Sequence, residues 1–287
     1  MPGTLYVVAT PIGNLEDITI RALRVLREVD VLACEDTRQT SKLLHHYQIS
    51  KPLTSYHEHN ESGKAAVLLK SLQAGKQVAL VSDSGTPCIS DPGYRLVKTA
   101  LENGVRVVPI PGPSSLLAAL SASGRATDAF TFVGFLPSRQ GPRQTFLQDL
   151  KLAPRTLVCF EAPHRLLESL EDIEKVMGNR QITVAREVTK RFEEFFYGSL
   201  REAVEYFRER PPRGELVLIV EKGGTPEVSL GALNAVELEK QLREMAEERS
   251  LSRNDALRLL ARELKVPRRE LYRYLLSNKE SLRGGTL

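Results

Sequence analysis

The residues best equipped for chemistry sit in short runs of small, polar and charged side chains. The longest run is Ser82-Asp83-Ser84-Gly85-Thr86-Pro87-Cys88-Ile89-Ser90-Asp91-Pro92-Gly93. It is longer than a strand-to-helix turn requires, and its two Gly and two Pro let backbone N–H and C=O groups approach a small ligand closely. The next helix can present its positive end to a carboxylate or phosphate. In Pro109-Ile110-Pro111-Gly112-Pro113-Ser114-Ser115, prolines on both sides of Gly112 make a rigid turn, and Ser114 is placed to cap a helix. Glu35-Asp36-Thr37-Arg38 puts two carboxylates beside an Arg. Either Asp36 or Thr37 caps the helix starting near Arg38, or a carboxylate orients or deprotonates a substrate hydroxyl. Tyr56-His57-Glu58-His59-Asn60-Glu61 contains His-x-His, but no third His lies nearby. A solvated or substrate-facing loop is expected there, and no metal site.

These runs follow apolar segments that read as strands. Leu5–Ala9, Val29–Cys34, Val78–Val81 and Val105–Ile110 alternate with helical patterns near Ile18–Arg27, Arg38–Tyr47, Lys64–Gln73 and Tyr94–Glu102. That is the rhythm of a mostly parallel sheet covered on both faces. A second series has strands near Phe130–Phe135, Thr156–Phe160, Ile182–Arg186 and Glu215–Val220, with helices near Gln144–Leu150, Leu166–Val176 and Ala203–Arg208. Gly223-Gly224-Thr225-Pro226 then punctuates the chain, and three helices follow near Ala235–Glu247, Ser252–Leu264 and Pro267–Leu276. Arg283–Leu287 reads as a frayed end. The expected fold is α/β: two tandem α/β domains, residues 1–113 and 114–228, with a cleft between them and a small basic helical module at 229–287. Ligands of open parallel sheets bind beyond the carboxyl ends of strands. Those ends deliver Thr10–Asp17, Glu35–Arg38, Ser82–Gly93 and Pro111–Ser115, then Phe160–Arg165 and Arg186–Arg191, so an active-site cleft is expected between the domains.

Composition narrows the classes. The 287 residues are 41% hydrophobic, enough for real cores, and the apolar runs are too short to span a bilayer. No basic-then-apolar leader precedes Leu5, and three Cys without a CxxC spacing argue against a disulfide framework; a cytoplasmic protein is expected. Neither GxGxxG nor a P-loop occurs, which removes the main sequence support for nicotinamide redox chemistry and ATP hydrolysis. The net charge is +4, but residues 249–287 alone carry +6, and 27 of the 40 basic residues are Arg. A basic terminal segment on a near-neutral body points to a polyanionic partner or, more plainly, to a solvated helical tail.

Taken in order, Tyr6–Asp17 (YVVATPIGNLED), Cys34–Arg38 (CEDTR), Val81–Gly93 (VSDSGTPCISDPG) and Pro109–Ser115 (PIPGPSS) closely resemble one methyltransferase family. So do Gly134–Pro137 (GFLP), Phe160–Arg165 (FEAPHR) and Arg186–Lys190 (REVTK). The family is the bacterial 16S ribosomal RNA (cytidine 2′-O-)methyltransferases, tetrapyrrole-methylase-like (class III) enzymes that act on the decoding-centre cytidine 1402. The resemblance runs from about Leu5 to Glu221. It implies S-adenosylmethionine as cofactor, held between two α/β domains of the tetrapyrrole methylase type, 16S rRNA within the small ribosomal subunit as partner, a homodimer, and no membrane or metal.

Carried over by position, the resemblance places Pro11, Asp83, Ser84, Gly85, Thr86, Ser114, Ser115, Phe160 and Gly214 around the cofactor. Class III relatives often read GDP where this chain has Ser82-Asp83-Ser84. The candidates for a base or for ribose positioning are Glu35, Asp36, His59, Glu161 and Lys190. Arg38, Arg165, Arg253, Arg258, Arg268, Arg269 and Arg273 are candidates for contact with RNA phosphates. Two rivals stand beside this reading. One is a methylase of the same fold acting on a tetrapyrrole or a modified amino acid. The other is a non-catalytic RNA-binding assembly factor that keeps a cofactor pocket.

Overall fold

The computed structural model describes residues 2–223, 234–249, 251–264, 266 and 268–278. The chain forms two compact units, residues 1–148 with 155–221 and residues 149–154 with 222–287. The punctuation at Gly224–Pro226, Pro267 and the terminal Arg283–Leu287 lie outside the described residues.

The first sheet is built from β1 (Thr4–Val8), β2 (Val31–Cys34), β3 (Leu53–Ser55), β4 (Val78–Val81) and β5 (Arg106–Ile110), in the order β3-β2-β4-β1-β5, all parallel. Its crossovers are α1 (Ile20–Glu28), α2 (Thr37–His46), α3 (Glu61–Gln73) and α4 (Tyr94–Glu102). Separate apolar cores fill its two faces, one around Val25, Leu26 and Leu32 and one around Leu68, Leu72 and Leu96. This is why its strands read as continuous apolar runs. Side chains cap two of these helices: Thr19 accepts from the Ala22 N–H at the start of α1 and Asp36 from the Arg38 N–H at the start of α2.

α5 (Ser115–Ser121) leads into the second sheet, built from β6 (Phe130–Phe135), β7 (Thr156–Glu161), β8 (Gln181–Arg186), β9 (Glu194–Ser199) and β10 (Leu216–Val220), in the order β6-β7-β10-β8-β9. α6 (Gln140–Leu150), α7 (Leu166–Met177) and α8 (Leu200–Glu209) connect its strands. Only β6 and β7 pair in parallel; β10 runs antiparallel between β7 and β8, and β8 and β9 form an antiparallel pair. The parallel rhythm expected along the chain therefore holds for the first sheet and gives way to a mixed sheet in the second. β9 is absent from the sequence expectation. It is an edge strand interrupted by Gly198, with mostly half-buried side chains and no run of aliphatic residues. Both sheets belong to one unit because Ile12, from the loop after β1, packs into the second sheet's core with Ala119, Val158, Val188 and Val217.

In the second unit, α9 (Ala235–Glu248), α10 (Arg253–Glu263) and α11 (Arg268–Ser277) bury Leu238, Leu242, Leu257, Leu260, Leu271 and Leu275 against one another. This is the helical module expected from the sequence. No helix among the described residues is long and apolar enough to cross a membrane.

Candidate active site

Because β4, β1 and β5 are adjacent and parallel, the loops after them leave the same sheet edge, where main-chain bonds stitch them together. Thr10 and Gly85 exchange N–H···O=C bonds at 2.9 and 3.1 Å, and the Thr10 hydroxyl donates to the Ser82 carbonyl at 3.1 Å. The Thr86 hydroxyl donates to the Pro113 carbonyl at 3.2 Å. Ser114 caps α5 by accepting from the Leu117 N–H. Ordered small-residue loops of this kind leave backbone polar groups available to a ligand without long side chains in the way.

Side chains dominate the opposing edge. β10 starts where β7 and β8 end, with Leu216 in register with both Glu161 and Arg186. Phe160 meets Phe132 and Phe135 edge-on, with centroids 4.9 and 5.6 Å apart. Glu161 is buried and engaged: it accepts from the Ser169 hydroxyl at 2.5 Å and from the Ala162 N–H at 2.8 Å, and lies 3.3 Å from the Arg165 guanidinium. Behind it Arg143, fully buried, pairs with buried Asp172 at 2.6 Å and donates to the carbonyl of Ser138. Arg165 donates to the carbonyls of Leu136 and Pro137. Two arginines thus hold the turn after β6.

Strain gathers at the same place. Five non-glycine residues among those described have positive φ, and four of them, Cys88, Ser90, Glu187 and Thr189, lie in two loops facing this cleft. Such conformations persist only where their surroundings over-determine them. Gly214, at φ +85°, has no room for a side chain: a Cβ there would fall 2.2 Å from Glu187 Oε1. At Gly13 a Cβ would fall 2.2 Å from Lys190 Cγ, so this glycine lets the first sheet's loop lie against a residue from the second.

Two cavities result. The first, of about 310 Å³, is walled by Ile12, Phe135, Phe160 and Leu216, with hydroxyls from Ser84, Thr86 and Ser114. Its charged lining is acidic throughout: Asp91, Glu161 and Glu215. Asp91 is pushed up to about 6, by burial first, then by Glu35, Asp83 and Glu215, against a hydrogen bond from Ser82. The second cavity, of about 500 Å³, carries Lys42 and Lys190 together with Asp83 and Glu215. Burial disfavours the Lys190 ammonium, but hydrogen bonds to Glu187 and Glu215, each at 3.0 Å, outweigh it and raise its pKa. Lys190 is accordingly a cation at neutral pH.

Of the residues expected around a cofactor, Ser84, Gly85, Thr86, Ser114, Ser115, Phe160 and Gly214 line the first cavity, whereas Pro11 and Asp83 line the second. Among the candidate bases, Glu161 lines the first cavity and Lys190 the second; Glu35, Asp36 and His59 line neither. Asp36 is the α2 cap, and its bonds to Arg38 hold its carboxyl down at about 2. Glu35 is pushed up by burial and by Asp83 and Glu58. His59 is exposed and meets His57 edge-on. Arg38 is exposed, while the Arg165 guanidinium is turned inward. In the helical unit, exposed Arg253 pairs with Glu239, Arg258 lies 3.8 Å from Asp255, Arg268 donates to Asn254, and Arg269 and Arg273 are exposed. Sequence reasoning did not single out Asp91, Phe135, Glu215 or Lys42. Asp91 and Phe135 lie inside the quoted motifs, Glu215 adjoins Gly214, and Lys42 follows Arg38 by one helical turn. No group of three or more His, Cys, Asp or Glu able to hold a metal occurs among the described residues.

This architecture is that of an α/β methylase. It is shared with uroporphyrin-III C-methyltransferase from Thermus thermophilus complexed with S-adenosyl homocysteine (TM-score 0.54, 22% identity, 76% of this chain and 97% of that one). It is also shared with diphthine synthase (TM-score 0.60, 14% identity, 76% and 90%). Residues 4–204 match the Tetrapyrrole (Corrin/Porphyrin) Methylases, and the chain belongs to that family. It is 50% identical to the ribosomal RNA small subunit methyltransferase I of Synechocystis sp. over 275 residues, 96% of this chain and 98% of that one. The protein of the same name from Bacillus subtilis is 42% identical over 275 residues, 94% and 93% of the two chains.

Proposed function

We propose that this chain is an S-adenosylmethionine-dependent methyltransferase of small-subunit ribosomal RNA, and that its acceptor is the ribose 2′-hydroxyl of the decoding-centre cytidine at position 1402 of 16S rRNA. The observation that carries the reading is the first cavity, whose charged lining is acidic only and whose walls are aromatic and aliphatic. Those residues fit the donor. Asp91 and Glu215 suit its positive charges, Phe135 and Phe160 its base, and Ser84, Thr86, Ser114 and Ser115 its polar groups. When bound, the donor supplies an activated methyl carbon on a sulfonium.

The chain's own work is alignment and proton management. Holding a hydroxyl in line with a reactive carbon contributes about 7–11 kcal/mol in favourable cases, and a positioned base adds about 10²–10⁴-fold. Glu161 is engaged by Ser169, Ala162 and Arg165, so it braces the cavity. Lys190 keeps a positive charge beside Glu215, the carboxylate common to both cavities, which favours an oxygen whose proton is released to solvent through the open second cavity. Exposed Arg269 and Arg273 on α11 are read as phosphate contacts that dock the RNA without reading its sequence. The homodimer implied by the resemblance belongs to the same reading and is checked by sedimentation.

The test is to incubate the protein with labelled S-adenosylmethionine and small subunits lacking the modification, then map the label. Label on the ribose of that cytidine is expected. Label on a base or on another nucleotide, or no transfer by a protein that binds the donor, overturns the assignment.

A further inference from the structure

The two cavities share a wall made by Ile12, Ser84 and Glu215, yet their charges differ. The first has acids only, whereas the second adds two ammonium groups, Lys42 from α2 and Lys190 from the loop after β8. Their mouths differ too. Gly13, Leu15, Gln39, Lys42 and Asp83 in the second lining are all exposed, so it opens to solvent along a rim supplied by the first sheet. At about 500 Å³ it falls in the size range of small-molecule sites, roughly 300–1,000 Å³. Lys190 is already braced by Glu187 and Glu215. Among the described residues Lys42 has no carboxylate partner within ion-pair distance, and its ammonium donates only to the Gln39 side chain, at 3.2 Å.

We propose that this second cavity is the acceptor-nucleotide site, with Lys42 taking a phosphate flanking the target nucleotide, Lys190 facing the ribose, and the Ile12–Ser84–Glu215 wall as the window to the donor. The inference rests on the functional reading above and adds a binding site and a residue, Lys42, to it. An open cavity suits a nucleotide extruded from a folded polymer, because the flanking chain must enter and leave through the rim. The charge division favours the two ligands: a cationic donor against acids alone, and a polyanion where Lys42 and Lys190 offset Asp83 and Glu215. A lysine on a phosphate acts as a point charge, so its contribution is sequence-independent and sensitive to salt.

The experiment compares wild type, Lys42→Ala, Lys42→Glu and Lys98→Ala for binding to decoding-region RNA across a salt series, with donor affinity measured by calorimetry. Lys98 is an exposed lysine on α4, remote in sequence from the cavity lining, and controls for loss of one positive charge. Lys42→Ala is expected to weaken RNA binding severalfold and to lower the slope of log affinity against log salt by about 1. Lys42→Glu is expected to weaken binding about tenfold or more, and both variants should bind the donor as wild type does. RNA affinity and salt slope unchanged in both Lys42 variants, or matched by Lys98→Ala, overturn the inference, as does parallel loss of donor binding. The readout requires no methyl transfer. RNA binding that depends on Lys42, in a protein that fails to methylate the expected ribose, therefore overturns the functional reading while leaving Lys42 and its cavity as an RNA-binding site.

Discussion

The two sheets build their sides of the cleft from different materials. The first presents backbone: short loops of Gly, Ser, Thr and Pro, held by the Thr10–Gly85 main-chain exchange and the Thr86 hydroxyl on Pro113. The second presents side chains: the Phe132, Phe135 and Phe160 cluster, the engaged Glu161, and the buried Arg143–Asp172 pair behind it. Main-chain bonds survive most substitutions, whereas a buried ion pair fails completely when one partner is removed. The second side of the cleft should therefore be the brittle one.

The most severe test is Asp172→Ala. It removes the close carboxylate of a guanidinium with no exposure and leaves it the more distant one of Glu168, at 3.5 Å, and breaking a buried pair costs about 3–5 kcal/mol. Urea unfolding should show that loss, and the double variant Arg143→Met with Asp172→Leu should recover much of it, since apolar replacement of a buried pair is often neutral. A single variant within 1 kcal/mol of wild type would erase the contrast between the two sides.

Gly214→Ala comes next. Its φ of +85° and the approach of Glu187 combine strain with a clash, and the strain alone should cost the folded protein about 1–3 kcal/mol. Urea unfolding reads it directly. The corresponding change on the first side is milder: Ser114→Ala removes a cap worth about 1 kcal/mol while the Thr10–Gly85 stitching remains. A loss of no more than about 1 kcal/mol of unfolding free energy is expected there. An effect larger than that of Gly214→Ala would reverse the ranking of the two sides.

The same contrast governs what could be read from the sequence. In the first sheet β1, β2, β4 and β5 were legible because apolar cores cover both faces, so apolar runs mark the strands and turn residues mark the loops at their ends, whereas β3, three half-buried residues, has no such run. In the second sheet β9 is a half-buried edge with Gly198 in it, and the antiparallel return of β10 leaves no trace in the order of runs along the chain. At the site, the Ser82–Gly93 loop could be picked out by its small polar residues, whereas Ser84–Thr86 and Ser114 were placed at the cofactor by the family resemblance. Lys42 could not, since a lysine on an amphipathic helix looks like any solvated charge. Its place on a cavity rim depends on α2 packing beside the loop after β1. Pro11 and Asp83 fell to the neighbouring cavity because residues adjacent in a motif can point to opposite sides of the Thr10–Gly85 bridge.

The smallest expected effect concerns charge in the first cavity. Asp91, raised to about 6, keeps its proton in the folded protein at pH values where an ordinary carboxyl has lost it. The unfolded chain binds fewer protons than the folded one between about 4 and 6, so this group's contribution to stability falls as pH rises through that window. A bound cation favours the carboxylate instead, so donor affinity should rise from pH 5 to pH 7. The demethylated product lacks the sulfonium charge and should respond less. The ratio of donor to product affinity is therefore expected to increase about threefold over this range, matching a partly screened interaction of about 0.7 kcal/mol. Asp91→Asn should flatten the ratio while leaving the product's affinity nearly unchanged. A ratio that is already flat in the wild-type protein would mean that the acidic lining does not sense the donor's charge, and the cavity would then select its ligand by shape and hydroxyl contacts alone.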